Sequence, residues 1–573
     1  MKNSGQFSVV SDQLQARPVW NCVRVLKGHG FNRAVAVLRE RSNRPSKYLR
    51  GLVIRARLQP GRKCYGVRRG LQPLLRQSMH LRLSFGIFQP FKAAGLLLCA
   101  FFLTLAATAQ QSKPWEQIPV PKLHEFKPHQ PVRIELKNGI VVFLQEDHEL
   151  PFVSGSVLIP GGSRDEDAAK AGLVDLYGQS WRTSGTAKMD GDAMDDLLEA
   201  KAAHIETGGD EDSTSLSWDS LKADSDQVFA LAMDLLFHPR FSQEKLELAR
   251  QQEATGIVRR NDDEAQIAER ESAKLVYGKD SPYTRQPELA TIAAVTLKDF
   301  DAWHERTLKG KLIVGIEGDF DPAAMEAKVR AAFESLPPVT AAPARHDVFN
   351  GPTPGVYFIG KDDVNQSNVQ IVGLGVDRHN PDTPAIAVMN EILGGGFASR
   401  LVQKVRTSLG LAYAVGGGFG LTYDHPGEFH VEVLTKSAST VDATKAAEAE
   451  ISGLNSEPIT QAEVERAKSD ILNTFIFRYD TREKVLAERE RLEFYGYPAD
   501  YLETYEAALQ KVTLEDVTSV AKKYIQGIKV AILVVGNGGE IKPGLEALNQ
   551  GPVKTIDITI PQPGGGKPVA AEK

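Results

Sequence analysis

Residues 295–318 read VTLKDFDAWHERTLKGKLIVGIEG, and residues 512–536 read VTLEDVTSVAKKYIQGIKVAILVVG. In both, V-T-L-x-D opens a charged helix, with the threonine as its cap, and an apolar strand ending in glycine follows. The offset is 217. A second match lies upstream. Ser242-Gln243 precedes a helix carrying Ala249-Arg250, and Thr460-Gln461 precedes one carrying Ala467-Lys468, at an offset of 218. Two separate matches at nearly one offset point to a duplication. The chain is therefore expected to hold two homologous halves, about 130–340 and 345–545. They join at LPPVTAAPARHDVFNGPTPG, a linker by its Pro and Ala content.

Within each half strands and helices mix without regular alternation. IELKNGIVVFLQED predicts two strands around an Asn-Gly turn. FVSGSVLI and NVQIVGLGV alternate as half-buried strands. DSDQVFALAMDLLFHP and TREKVLAERERLEFYG have helical spacing. The fold class is α+β, with helices packed on largely antiparallel sheets. Each half is large enough to bury its own core.

The N-terminal region reads differently. Residues 1–78 hold 17 Lys/Arg against Asp12 and Glu40, without a sustained period. One reading is a basic arm for nucleic acid. The preferred one is a non-native upstream extension, with translation starting at Met79. That methionine opens an export signal over 79–109: a basic n-region with Arg82 and Lys92, the apolar run AAGLLLCAFFLTLAA, and Ala107-Thr108-Ala109 for cleavage. The run is short for a membrane span. Leu98 before Cys99 is too large for the usual lipoprotein signal.

All three cysteines (22, 64 and 99) precede the cleavage site, so the mature chain needs no disulfide. Residues 110–573 keep 49 basic and 71 acidic side chains, a net charge of about −22. That balance disfavours nucleic acid or an anionic membrane as partner and suits a periplasmic protein. The tail 561–573, rich in Pro and Gly, is expected to be disordered.

The order of motifs resembles the pitrilysin/insulinase family of zinc peptidases, in its mitochondrial-processing-peptidase-like branch. In the first half it is L-x-N-G at 136–139, P-x-V at 151–153, G-G-S-R-x-E at 161–166, and a helix entered by Gly172-Leu173 and left by Gly185-Thr186. In the second it is NEILGGGF at 390–397, Ser399-Arg400-Leu401, Val405-Arg406 and GLAYA at 410–414. The resemblance implies a clamshell-like chamber. It also implies H-x-x-E-H on the first of these helices, where two imidazoles one turn apart bind zinc and the glutamate acts as base. Here those positions hold Asp175, Gly178 and Gln179, and the position implied for the third ligand is Gly256. No metal ligand and no catalytic residue is expected in this chain, and zinc is expected in a partner subunit instead.

Two alternative metal groups are disfavoured. His425, Glu428 and His430 suggest H-x-x-E-x-H, but Pro426 and Gly427 oppose a helix, and FHVEVLT alternates like a strand. Glu253 as a shifted ligand yields to the reading of helix surface charge. The glycines 394–396 and 416–418 lack the phosphate-loop pattern. The first run would let a helix pass into a turn, and the second would permit a strand bulge.

Arg406 and Tyr413 remain. The resemblance implies that they reach substrate, the tyrosine hydroxyl near the scissile carbonyl and the guanidinium on neighbouring backbone carbonyls. Two functions stay open. One is a non-catalytic subunit that closes the chamber of a zinc-bearing partner and binds peptide or unfolded protein. The other is a periplasmic peptide-binding or assembly scaffold. No G-x-S-x-G and no mature cysteine supports a different nucleophile.

Overall fold

The computed structural model describes residues 127–340 and 347–562. The expectations for residues 1–78 and 79–109, and for the tail from 563 on, lie outside the described residues.

The first sheet comprises β1 (Val132–Glu135), β2 (Val141–Glu146), β3 (Phe152–Pro160), β4 (His204–Gly209), β5 (Ser213–Leu221) and β6 (Ile313–Gly318). Its order is β1-β2-β6-β3-β5-β4, and only β2/β6 is parallel. The second comprises β7 (Gly355–Gly360), β8 (Gln366–Leu374), β9 (Ala412–Phe419), β10 (Glu428–Lys436), β11 (Ala531–Gly536) and β12 (Lys554–Thr555). Its order is β12-β7-β11-β8-β10-β9. The β7/β11 pair is parallel, as β2/β6 is. Five strands of each sheet share one order, with β4 and β9 as matching edge strands, while the sixth differs: β1 precedes β2 and lies antiparallel to it, whereas β12 comes last in the chain and lies parallel to β7. The turn between β1 and β2 is the Asn-Gly expected, with Gly139 at φ +90°.

The helices that matter below are α1 (Leu173–Ser184), α2 (Gln243–Arg259), α3 (Glu264–Tyr277), α4 (Leu297–Thr307), α5 (Thr383–Asn390), α6 (Gln461–Phe475), α7 (Arg482–Phe494) and α8 (Leu514–Ile525). The duplicated caps form as read. Thr296 N–H donates to Asp299 Oδ2 at 2.8 Å, and Thr513 N–H donates to Asp516 Oδ2 at 2.9 Å. Thr460 caps α6 in the same way, its N–H donating to Glu463 Oε2 at 2.8 Å, whereas Ser242 caps α2 through its hydroxyl, which accepts from Lys245 N at 3.2 Å.

Each half has its own core, one built on Tyr177, Trp181 and Phe300, the other on Ile386, Phe429 and Val517. The halves also exchange a helix. Ile267, Ala268 and Val276 of α3 pack on Tyr357, Ile359, Val372 and Leu533 of the second sheet. Leu486 of α7 packs on Val141, Phe143 and Ile313 of the first. Glu490 of α7 sits over Gly315 and accepts a hydrogen bond from Ser156 Oγ at 2.7 Å. A side chain at 315 would collide with it. Loops add a second lock. Arg164 pairs with Asp424 at 2.8 Å, Tyr495 donates to Asp212, and Tyr277 donates to Pro426 O at 3.0 Å.

The second sheet extends past residue 545, through β12. Beyond it Ile556 and Ile558 pack with α3 and the second sheet, while Ile560 packs on the first core. Asn261 Nδ2 donates to Ile558 O at 2.8 Å. Residues 556–560 therefore form a strap between the halves.

Candidate functional site

Helix α1 starts at Gly172 (φ +95°) and ends at Gly185 (φ +78°). Its buried face carries Leu173, Leu176, Tyr177 and Trp181. The side chain of Glu166 accepts the N–H groups of Gly172 (2.9 Å) and Val174 (3.1 Å), satisfying the helix start. Burial still raises that carboxyl to about 7.

The helix docks tightly on β4. A Cβ at Gly178 would lie 3.0 Å from the backbone of Gly208, and one at Gly209 would lie 2.2 Å from Val174 Cγ1. Thr207 pins the contact: its hydroxyl donates to Gly178 O at 2.8 Å and accepts from Arg182 N at 3.1 Å. So the position where the family's base would stand is a contact between two backbones.

Around it the donors do not suit zinc. Asp175 is raised to about 6 by burial. Gln179 Oε1 is buried without a hydrogen-bond partner. Gly256 on α2 is exposed, with nothing near it to receive a side chain. Glu253 is half-buried and is raised to about 7 by burial and by the charge of Asp175. It therefore faces the vestigial site, and the expectation of a solvated helix charge is corrected. The reason is geometric: Glu253 lies on the side of α2 turned to α1. These two acids offer only carboxylate oxygens and no imidazole, a poor set for a borderline-soft ion. Among the described residues, no group of three or more His, Cys, Asp and Glu side chains is placed to hold a metal.

His425 stands in the turn, beside Asp424 at 2.8 Å. Glu428, His430 and Glu432 share one face of β10, while Phe429, Val431 and Val433 enter the core. The period-two reading thus fits this strand.

In the second half, α5 runs into two π-helical turns, Glu391–Gly395 and Val402–Ser408. Such turns are rare and concentrate at functional sites. Asn390 bonds the backbone of β9 through both ends of its amide: Nδ2 donates to Phe419 O and Oδ1 accepts from Phe419 N, each at 2.8 Å. A Cβ at Gly394 would lie 2.6 Å from Gly417 N and O. The glycine runs therefore allow helix and strand to touch. The strand bulge expected at 416–418 falls instead at Tyr413. Ala412 pairs with Thr435 and Ala414 with Leu434, leaving Tyr413 as the extra residue.

Arg400 anchors the segment to α6 through two bonds to Glu463, at 2.8 and 3.1 Å. Burial alone would raise the Glu463 carboxyl, but these bonds and those from Thr460 hold it down at about 2. Leu411 N–H donates to Val405 O at 3.0 Å, tying β9 to the second π turn. On this frame Tyr413 is 77% exposed. Arg406 is exposed too, its guanidinium 5.7 Å from the centre of the Phe397 ring. Neither makes a hydrogen bond to α1, α2 or any other described residue. The structure places Arg406 and Tyr413 together on one frame and leaves both open to solvent. In the sequence, Asn390, Phe397 and Arg400 belong to the motif but carry no assigned work. The exposure of Phe397 had no sequence signal, whereas an Asn and an Arg flanking a glycine run were signals of anchoring.

Two family models match: "Insulinase (Peptidase family M16)" over residues 141–276, and "Peptidase M16 inactive domain" over 294–471. Together they span more than half of the chain. The chain is 22% identical over 405 residues to the non-peptidase homolog YmxG of Helicobacter pylori, covering 70% of this chain and 92% of that one. It is 24% identical over 405 residues to an uncharacterized zinc protease of Mycobacterium leprae, covering 69% and 89%. The crystal structure of a peptidase M16 inactive domain from Pseudomonas fluorescens matches with TM-score 0.64 and 24% identity, covering 71% of this chain and 98% of that one. A protease structure from Helicobacter pylori matches with TM-score 0.61 and 18% identity, covering 71% and 100%. These two structures share its fold. With the order of five strands repeated in both halves and the motifs at 161–166 and 390–414, the chain belongs to the insulinase (M16) peptidase family, as a member without the H-x-x-E-H motif.

Proposed function

We propose that this chain is the supporting, non-catalytic subunit of an exported zinc peptidase of two chains. It acts in the periplasm after cleavage of the signal over 79–109. The observation that carries this reading is the contrast between its two sites. Asp175, Gly178, Gln179 and Gly256 cannot hold the metal, yet Arg406 and Tyr413 stand exposed and unbonded on an anchored frame. An exposed tyrosine on a bulge of an edge strand stabilises nothing in this chain. It is placed to meet something outside it.

A partner of the same family, bearing H-x-x-E-H, would supply metal and base. This chain would close the chamber. Tyr413 would donate its phenol hydrogen toward the oxygen on which charge develops, and Arg406 would hold neighbouring carbonyls with its fixed donors. The substrate is a peptide or an unfolded segment.

The test is reconstitution. This chain alone should carry no stoichiometric zinc and cut no unfolded peptide. Mixed with the partner that co-purifies from its native source, it should restore chelator-sensitive cleavage. Peptide affinity without cleavage in any mixture would instead make it a scaffold.

A further inference from the structure

We infer that α7 is a proton-controlled latch between the halves: it lies firmly on the first sheet while Glu490 and Glu317 are protonated, and loosens its hold when they ionise. The inference goes beyond the function proposed above and would hold for a scaffold as well as for a subunit.

Three observations carry it. First, α7 follows α6 in the second half but packs on the first sheet, with Leu486 on Val141, Phe143 and Ile313. Helix α6 is itself tied to Arg400 through Glu463. The seat of α7 therefore joins the frame of Arg406 and Tyr413 to the first half.

Second, that seat is built on carboxyl groups without cations. Glu490 is 8% exposed, and its carboxyl fills the space that a side chain at Gly315 would take. Its hydrogen-bond partner is the neutral Ser156 hydroxyl, at 2.7 Å. A buried carboxylate met only by a hydroxyl is costly. Near the start of α7, Glu317 of β6 has a buried Oε2 without a hydrogen-bond partner. Asp147 and Glu483 bring further negative charge to it, and Gln145, beside it in register, gives its amide to His129 O. Just past the end of α7, Tyr495 donates to Asp212, which feels the charges of Asp210, Asp424 and Arg164.

Third, the cations around α7 are committed elsewhere. Arg482 pairs with Asp147 at 3.2 Å and donates to Glu146 O. Arg489 donates to Gln130, Ala499 O and Glu503. Arg491 pairs with Glu488 at 3.8 Å, and Arg164 with Asp424 at 2.8 Å. Arg133 and Lys311 both hold Glu493, at 2.8 and 2.7 Å. His148 contacts Glu146 and Asp319, within the first half.

Burial accordingly raises Glu490 to about 7, and burial with the charges of Glu483 and Asp147 raises Glu317 to about 7. Released into water, both would ionise at lower pH. Docking is therefore strongest below about pH 4.5, weakens as pH rises toward about 7, and stays weak above it. Glu493, held down at about 2 by Arg133 and Lys311, contributes equally across that range.

The experiment is native-state hydrogen exchange of the purified chain from about pH 5 to about pH 8, each rate divided by its intrinsic value. Peptides from residues 482–494 are compared with peptides from β3. The opening constant of α7 should rise at least about tenfold over that range while β3 stays closed. Glu490→Gln with Glu317→Gln should flatten the rise. Ser156→Ala removes the donor that favours the ionised form, so it should steepen the rise.

Protection of α7 that ignores pH, or a pH dependence that survives in the glutamine pair, overturns the inference. So does loss of protection in α7 and β3 together, which marks unfolding of the first half and no latch. Should the glutamine pair not fold, Ser156→Ala decides, and an unaltered pH dependence there overturns the inference.

Discussion

The two halves solve one packing problem and put it to opposite uses. In each, a helix crosses the edge strand of its sheet through glycine: Gly178 on Gly208 in the first, Gly394 on Gly417 in the second. In the second half that contact carries the chain on into π turns that hold Arg406 and Tyr413 outside. In the first half it stands where the family's base would be. A glutamate at that position would set its Cβ 3.0 Å from the backbone of Gly208, so helix and strand would have to part by a few tenths of an ångström. What remains beside Gly178 is a desolvated pair of acids, Asp175 and Glu253, instead of a metal cradle.

The largest effect is expected from Gly394→Ala, which sets a Cβ against two backbone atoms. It should cost about 3 kcal/mol by denaturant unfolding, and an unchanged midpoint would mean that the contact is not there. Gly178→Glu should cost about 2 kcal/mol for the same reason. The quadruple variant Asp175→His, Gly178→Glu, Gln179→His and Gly256→Glu should then unfold earlier in urea without gaining tight zinc. Metal bound at one equivalent with no loss of stability would show that packing is no barrier.

A smaller effect concerns pH. Asp175 and Glu253 are raised to about 6 and about 7 when folded, above their ordinary values. The folded chain therefore holds more protons than the unfolded one between roughly pH 4 and 7. Both groups make stability fall as pH rises through that window, and the penalty is complete above it. Asp175→Asn with Glu253→Gln should gain on the order of 1–2 kcal/mol at about pH 8 and almost nothing at about pH 4.5. A gain independent of pH would place these acids in solvent. The smallest effect is the most telling for the other half: Arg406→Ala and Tyr413→Phe should each move stability by less than about 0.5 kcal/mol, since both side chains are exposed.

Much of this was legible in the chain before any fold. The caps at Ser242, Thr296, Thr460 and Thr513 and the apolar strands after them revealed the duplication, because a cap and a period are local signals. The loss of the zinc motif was legible for the same reason. The exchange of α3 and α7 was not. An amphipathic helix shows an apolar face but not whose sheet it covers. The same limit hid the side of α2 on which Glu253 lies. The strap does carry a local signal: Ile556, Ile558 and Ile560 alternate with Asp557 and Thr559, a strand period just ahead of the Pro/Gly-rich end. The bulge at Tyr413 depends on pairing with β10, and no stretch of β9 alone announces it.

We propose that the exposed pair serves a zinc site on another chain. The most direct measurement is the turnover of an unfolded peptide by the reconstituted pair of chains, with wild-type and Tyr413→Phe forms of this one at saturating substrate. Removal of a donor to a developing oxyanion should lower kcat about 100-fold or more, while complex formation and the partner's zinc content stay the same. Turnover unaltered by the lost hydroxyl, in a complex equally well formed, would contradict the account.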